Sequence, residues 1–237
     1  MLLSAVLLVT LSSGFLRKRR HIRPSPRFLA CPPQFLEVLP WTNIYSGSSP
    51  PLNRAAALRQ HCDLVLSLRR LGVGIGIIPP EQELQDMTFV TDAAVVKGGR
   101  AVMTRLVHPE RRNEVFPVSR ALRKRGAEII QPQIGTHYSL EGGDVVFAPG
   151  RRIFLGHGFR STENASRVLS MAFPYHRVIP IRLLDPYFYH LDTCFCPLPD
   201  GKHAVIYEHA FDETSSALLC NEFEKIQTTR EEALLFT

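Results

Sequence analysis

Three stretches of the chain share one layout: Asp92-AAVV-KGGR-AVMT, Asp144-VVFA-PGRR-IFLG and Asp192-TCFC-PLPDGK-HAVIY. In each, an aspartate precedes four small or apolar residues, a glycine-containing turn with a basic residue follows, and a second apolar run closes the stretch. That layout reads as a β-hairpin whose first strand begins at the acid. The aspartates stand 52 and then 48 residues apart. After each hairpin come a helix-period segment, a glycine or polar stop, and a short β-branched run. A repeat near fifty residues constrains the fold more than any single motif, because each unit must bury its apolar face against a neighbour. The unit is strand–strand–helix–strand, and the fold class is α/β.

Residues 1–26 stand outside this repeat. They open with Met1-LLSAVLLVTL, an apolar run of about ten residues, where a membrane-spanning helix needs ~20. A basic cluster follows the run instead of preceding it, the reverse of a secretory signal. Arg17, Lys18, Arg19, Arg20, Arg23 and Arg27 carry the whole formal charge of +6, which leaves 22 basic against 22 acidic residues in the rest. A neutral body with no RNA-binding motif gives no reason to expect nucleic acid or membrane as a partner. The extension is read as disordered or mis-started and dispensable for folding, and residues 27–237 as one domain. Five cysteines (Cys31, Cys62, Cys194, Cys196, Cys220) show no metal-ligand spacing. Their odd number argues against a disulfide framework, and the expected setting is reducing and cytoplasmic.

Other elements follow from period and punctuation. Arg27-FLA is the expected opening strand of the fold, and Trp41 to Pro51 reads as a loop. Leu52 to Leu71 reads as a helix with Leu58, Cys62, Val65 and Leu68 on one face, and Val73-GIGIIPP as a buried strand. Val115, Val118 and Leu122 form a second stripe, and Ala165, Val168, Leu169 and Ala172 a third. Thr229 with Glu232 three residues on is a capping pattern.

The chemistry gathers around the repeated acids. Glu141-GGD sets a carboxylate beside two glycines, where backbone can approach a ligand closely. His190-Leu-Asp192 places imidazole and carboxylate two apart, on one side of the expected strand. If the units pack around an axis, Asp92, Glu141, His190 and Asp192 converge at one end of it. Carboxylates so grouped suit a planar guanidinium held by paired hydrogen bonds. A divalent metal fits less well, since one histidine has no second nitrogen or sulfur ligand nearby; neither metal nor organic cofactor is expected.

Taken together, Phe89-VTDAAVV, Leu140-EGGDVVFAPGRRIFLGHGFRST and Tyr189-HLDTCFCPL resemble the guanidino-group-modifying superfamily, which includes dimethylarginine dimethylaminohydrolases, arginine deiminases and amidinotransferases. Arg27-FLACPP and Pro109-ERRNEV are similar to dimethylaminohydrolase-type members. The resemblance implies a pentein-type α/β propeller of five ββαβ blades, about four of which this chain holds. It implies that Asp92 and Asp192 clamp a substrate guanidinium, with Asp144 in the same substrate-binding set. His190 would be general acid/base assisted by Glu141, and Arg160 would bind the substrate's α-carboxylate. It also implies attack by a cysteine thiolate through a thiouronium intermediate to give citrulline. None of the five cysteines stands in that position; Cys194 and Cys196 adjoin the site motif and are expected to pack in the core. The expected substrate is arginine or a methylated arginine. An amidinotransferase shares these motifs, and a non-catalytic guanidine-binding remnant is the reading of another class. Oligomeric state is left open.

Overall fold

The computed structural model describes residues 6–9, 27–39, 42–46, 51–132 and 137–235. Among these residues, twelve strands form four three-stranded sheets. The first sheet holds β1 (Val6–Val9), β2 (Arg27–Ala30) and β3 (Gly74–Ile77). The second holds β4 (Ala94–Lys97), β5 (Arg100–Met103) and β6 (Glu128–Ile130). In the third lie β7 (Val145–Ala148), β8 (Arg152–His157) and β9 (Arg177–Arg182). The fourth is built of β10 (Phe195–Pro197), β11 (His203–Ile206) and β12 (Glu224–Gln227). In every sheet the first two strands pair antiparallel and the second and third pair parallel. A parallel return needs a crossover. It is supplied by α1 (Arg54–Arg70), α2 (Val115–Arg123), α3 (Ala165–Ala172) and α4 (Glu213–Glu222), one per unit. The ββαβ unit is therefore present four times, and no sheet joins another.

The first unit corrects the expected boundary. Val6–Val9, inside the extension read as disordered and dispensable, pairs with Arg27–Ala30 in the register Val6↔Ala30 to Val9↔Arg27. Arg27-FLA is thus the middle strand of its unit and not the opening one. The physical reason is that β2 would otherwise present an unpaired edge, and a short apolar run upstream satisfies it. The rest of residues 1–26 lies outside the described residues.

Burial is organised between units. Each inner sheet is buried on both faces, so successive residues of one strand enter different cores. Val96 and Ala101 of the second sheet pack with Leu29 of the first, whereas Val95 and Val102 pack with Ile153, Leu155 and α3 of the third unit. Phe154, on the other face of β8, packs with Phe195, Ala204 and Ile206 of the fourth. The three clusters thus cement consecutive units in series. The α3 stripe is buried as expected, at Ala165, Val168, Leu169 and Ala172. The α1 stripe is rotated: Ala57, His61 and Val65 are buried while Cys62 is exposed, because the small and mid-sized side chains take the side against the body. β3 is half-buried, with Ile77 exposed. At the far end, α5 (Arg230–Leu234) carries the expected capping box, Thr229 N donating to Glu232 Oε2 at 2.9 Å.

Candidate active site

Each repeated acid sits in a single turn of 3-10 helix that precedes its hairpin: Val90–Ala93, Gly142–Asp144 and Leu191–Thr193. This corrects the reading of the acids as first strand residues. It also removes the same-face argument for His190 and Asp192: His190 caps the turn in extended conformation (φ −123°, ψ 147°), and Asp192 lies within it. The three turns touch one another in chain order. Glu141-Gly-Gly is what lets them do so. A Cβ on Gly142 would collide with the carbonyl oxygen of Thr91, and one on Gly143 would come within 3.0 Å of His190 Cγ. The glycines thus make room for neighbouring turns; their expected role was close approach to a ligand.

His190 is the hub. Its Nε2 lies 3.5 Å from Glu141 Oε2 and 3.6 Å from Asp92 Oδ1, and its Nδ1 lies 3.2 Å from Asp144 Oδ1. The last contact is an ion pair. Burial alone would lower the imidazole pKa, but the charges of Asp144, Asp92 and Glu141 outweigh it and raise it to about 9. Asp92 moves the other way. Burial pushes its carboxyl up, and His190, Arg111 and Arg160 together hold it below the usual range. Glu141 is fully buried. Its Oε1 accepts from Val107 N at 2.9 Å and its Oε2 from Arg160 Nη1 at 3.2 Å; burial, then Asp92, raises its pKa.

These groups border a cavity of about 530 Å³, lined on one side by Asp86, Asp92, Arg111, Arg160, Tyr189, His190 and Asp192, a volume within the range of small-molecule sites. The other side comes from the first unit: Leu36, Val38, Leu52, Ala56 and Ala57. The loop over it is anchored, Tyr45 Oη donating to Tyr187 O at 2.8 Å. Asp192 keeps its side chain exposed to the cavity, while the protein enclosing it on the other sides raises its carboxyl to about 7. Asp144, grouped with the substrate-binding residues on sequence, is fully buried and absent from the cavity wall. It stands behind His190 and also accepts from Leu191 N at 3.3 Å, so it acts on the histidine.

Three site residues escaped the sequence reading: Asp86, Arg111 and Glu114. Arg111 is buried with Nη1 3.2 Å from Asp92 Oδ2, Nη2 3.0 Å from Glu114 Oε2 and Nε 3.4 Å from Asp86 Oδ2. Burial raises Glu114 to about 7 against the pull of Arg111. The i,i+3 spacing of Arg111 and Glu114 within Pro109-ERRNE was the available signal. Arg160 is not a free cation either: it donates to Glu141 and Thr42 O and stacks on Tyr189 at 4.6 Å. Asp92, Glu141 and His190 each bring a donor atom within 4.8 Å of the others, yet the cations already facing them are the chain's own guanidinium groups. Cys194 is buried, with its Sγ 3.6 Å from Leu191 O and its thiol pKa pushed well up by burial, as a core cysteine. Cys196 is exposed, contrary to expectation. The described residues of the cavity wall include no cysteine.

A family model described as N,N dimethylarginine dimethylhydrolase, eukaryotic, matches residues 45–232. The bifunctional arginine dihydrolase/ornithine cyclodeaminase AgrE of Nostoc sp. is 31% identical over 199 residues, covering 81% of this chain and 27% of AgrE. The N(G),N(G)-dimethylarginine dimethylaminohydrolase of Mycobacterium tuberculosis is 29% identical over 183 residues, which is 76% of this chain and 58% of that enzyme. The chain thus spans about a quarter of the first relative and somewhat over half of the second. The N-terminal domain of ArgZ, a cyanobacterial arginine dihydrolase, has been solved covalently bound to a reaction intermediate. It superposes with a TM-score of 0.82 at 28% identity, over 89% of this chain and 78% of that one. Among the described residues, no helix is long and apolar enough to cross a membrane.

Proposed function

The chain belongs to the N,N-dimethylarginine dimethylhydrolase family, within the guanidino-group-modifying superfamily, and on that premise we propose that its cavity binds the guanidinium of arginine or a methylated arginine for hydrolytic chemistry at its carbon. The observation that carries the reading is a buried histidine held between Asp92 and Glu141 on the wall of a cavity rich in carboxylates. Asp92 and Asp192 hold the guanidinium by charge-assisted hydrogen bonds. His190, raised to about 9, carries a proton at neutral pH and gives it to the departing amine; the neutral imidazole then takes a proton from attacking water. Glu141 and Asp144 orient the ring, and Arg160 faces the substrate's α-carboxylate. In this class a thiolate adds to the guanidinium carbon, the amine leaves, and water displaces the sulfur. No cysteine lines the described wall, so we assign this chain the binding and acid/base half of the site and not the nucleophile. The four ββαβ units are read as successive blades around one axis; the chain-order contacts of the 3-10 turns and the serial cores support that arrangement.

Calorimetry with L-arginine tests the reading. Binding should be measurable, weaken at least tenfold in Asp92→Asn, and proceed without citrulline release above a no-protein control. Absence of binding, or binding indifferent to Asp92→Asn, overturns the site. Citrulline release abolished by Cys196→Ser overturns the assignment of the nucleophile.

A further inference from the structure

In the second, third and fourth units the site acids precede the first strand, so the hairpin turns lie at the opposite end of each sheet. The turns of the second and third units are built differently. Gly98-Gly99 of the second takes the left-handed region on glycine alone, at φ 59° and 82°. Pro149-Gly150-Arg151 of the third takes it at Gly150 (φ 77°) and again at Arg151 (φ 59°). Among the described residues Arg151 is the one non-glycine residue there. A side chain in that region strains the backbone, and glycine would relieve it. The arginine stands there at a cost to stability.

Its surroundings are cationic. Arg151 O accepts from Arg177 N at 2.9 Å, which sets Arg151 beside His176. The His176 ring lies 5.9 Å from the rings of both Phe147 and Phe173, and its Nδ1 is buried with no hydrogen-bond partner. Lys97, at the end of β4, places Nζ 5.0 Å from the centre of the same Phe147 ring. Three segments of two units bring Lys97, Arg151 and His176 to one junction. Burial, then the charges of Lys97 and Arg151, holds the imidazole below its ordinary pKa. The acids of this rim are already engaged: Glu128 pairs with Arg100 at 3.0 Å, and Glu222 with Arg152 and Arg177 at 2.9 and 3.0 Å. Among the described residues neither Lys97 nor Arg151 forms an ion pair. Tyr175, next to His176, is 79% exposed.

We infer that this junction of the second and third units binds a phosphate monoester, its dianion held by Lys97, Arg151 and His176 and its organic group laid on Tyr175. A lysine supplies a point charge, an arginine a planar fork and an imidazole a further N–H, donors that together suit a tetrahedral dianion. The test titrates the full chain at fixed ionic strength with inorganic phosphate and, separately, with phenyl phosphate. The reporter is the imidazole resonance that His176→Gln removes. Both probes should move it saturably, phenyl phosphate at lower concentration. Lys97→Ala and Arg151→Gly should each weaken phosphate about tenfold, as loss of a charged hydrogen bond does. Arg151→Gly should at the same time raise the thermal midpoint by about 2–4 °C, because the strain is relieved. Tyr175→Ala should remove the preference for phenyl phosphate and leave inorganic phosphate unchanged. A resonance that stays in place, or moves without saturating, overturns the inference. Full phosphate affinity in Lys97→Ala or Arg151→Gly overturns it as well, and equal affinity of the wild type for the two probes overturns the assignment of a monoester.

Discussion

Replacing Asp144 by asparagine should lower the pKa of His190 by about 2 units, from about 9 toward ~7. The magnitude follows from the geometry. Opposite unit charges 3.2 Å apart, the His190 Nδ1–Asp144 Oδ1 distance, attract by about 5 kcal/mol at an effective dielectric of ~20. At about 1.4 kcal/mol per pKa unit this sets a ceiling near ~4 units. Asp92 and Glu141 remain at 3.6 and 3.5 Å on the other nitrogen, and the asparagine oxygen keeps part of the interaction, so roughly half the ceiling is expected. Titration of the imidazole C–H resonances reads the shift, with His190→Gln identifying the signal among the nine histidines. Stability should follow in sign. The folded pKa lies above the ordinary 6.5. The contribution of His190 is therefore complete below pH 6.5 and is lost as pH climbs through 9, about 3 kcal/mol in all. In Asp144→Asn the decline in unfolding free energy between about pH 7 and 9 should flatten relative to wild type. A His190 resonance that titrates at the same pH in both proteins would refute the reasoning and make Asp144 a mere hydrogen-bond acceptor for Leu191 N.

Two further outcomes follow from the packing of the site. Gly142→Ala should cost about 2–3 kcal/mol in urea unfolding, as overpacking does, because its Cβ collides with the backbone oxygen of Thr91; a loss below ~0.5 kcal/mol would show that the turns are not in contact. Arg111→Met strands Glu114, Asp86 and Asp92 without their cation and should cost about 3–5 kcal/mol at pH 8. The cost should shrink at pH 5, where Glu114, already raised to about 7 by burial, is protonated; equal losses at both pH values would refute the charge argument.

How much of this was legible in the sequence depends on where a residue sits relative to the repeat. Asp92, Asp144 and Asp192 stood out because successive units place them at equivalent turns, and Glu141 and His190 because they open two of those turns; periodicity survives without any knowledge of loops. Asp86 comes from the loop before the β4–β5 hairpin, and Arg111 and Glu114 from the 3-10 segment Pro109–Glu114 after it, where no period marks them. The strand at Val6–Val9 was missed for a different reason: the basic cluster after it dominated the reading, and its partner strand starts at Arg27, far along the chain. Asp192 was grouped with His190 for a faulty reason, since strand alternation does not apply inside a 3-10 turn. The α1 stripe slipped because a helix rich in leucine offers several apolar faces, and only the neighbouring walls select among them.

The site's electrostatics give the repeat a functional sense. Six carboxylates (Asp86, Asp92, Glu114, Glu141, Asp144, Asp192) face chiefly Arg111, Arg160 and His190 among the described residues in and behind one wall of the cavity. Carboxylates in such excess are destabilising when shielded from water, and the carboxyl groups of Asp86, Glu114, Glu141 and Asp192 are all pushed above their ordinary values, chiefly by loss of solvation. A fold selected for stability alone has no use for that excess, since apolar residues of similar volume would serve as well or better. A guanidinium, the ligand proposed above, would supply the missing positive charge together with planar donors matched to paired carboxylates. The cost of assembling the acids is met at folding by three apolar cores that lock consecutive units together. The acids are therefore already in position when a ligand arrives, and its binding energy need not be spent on arranging them.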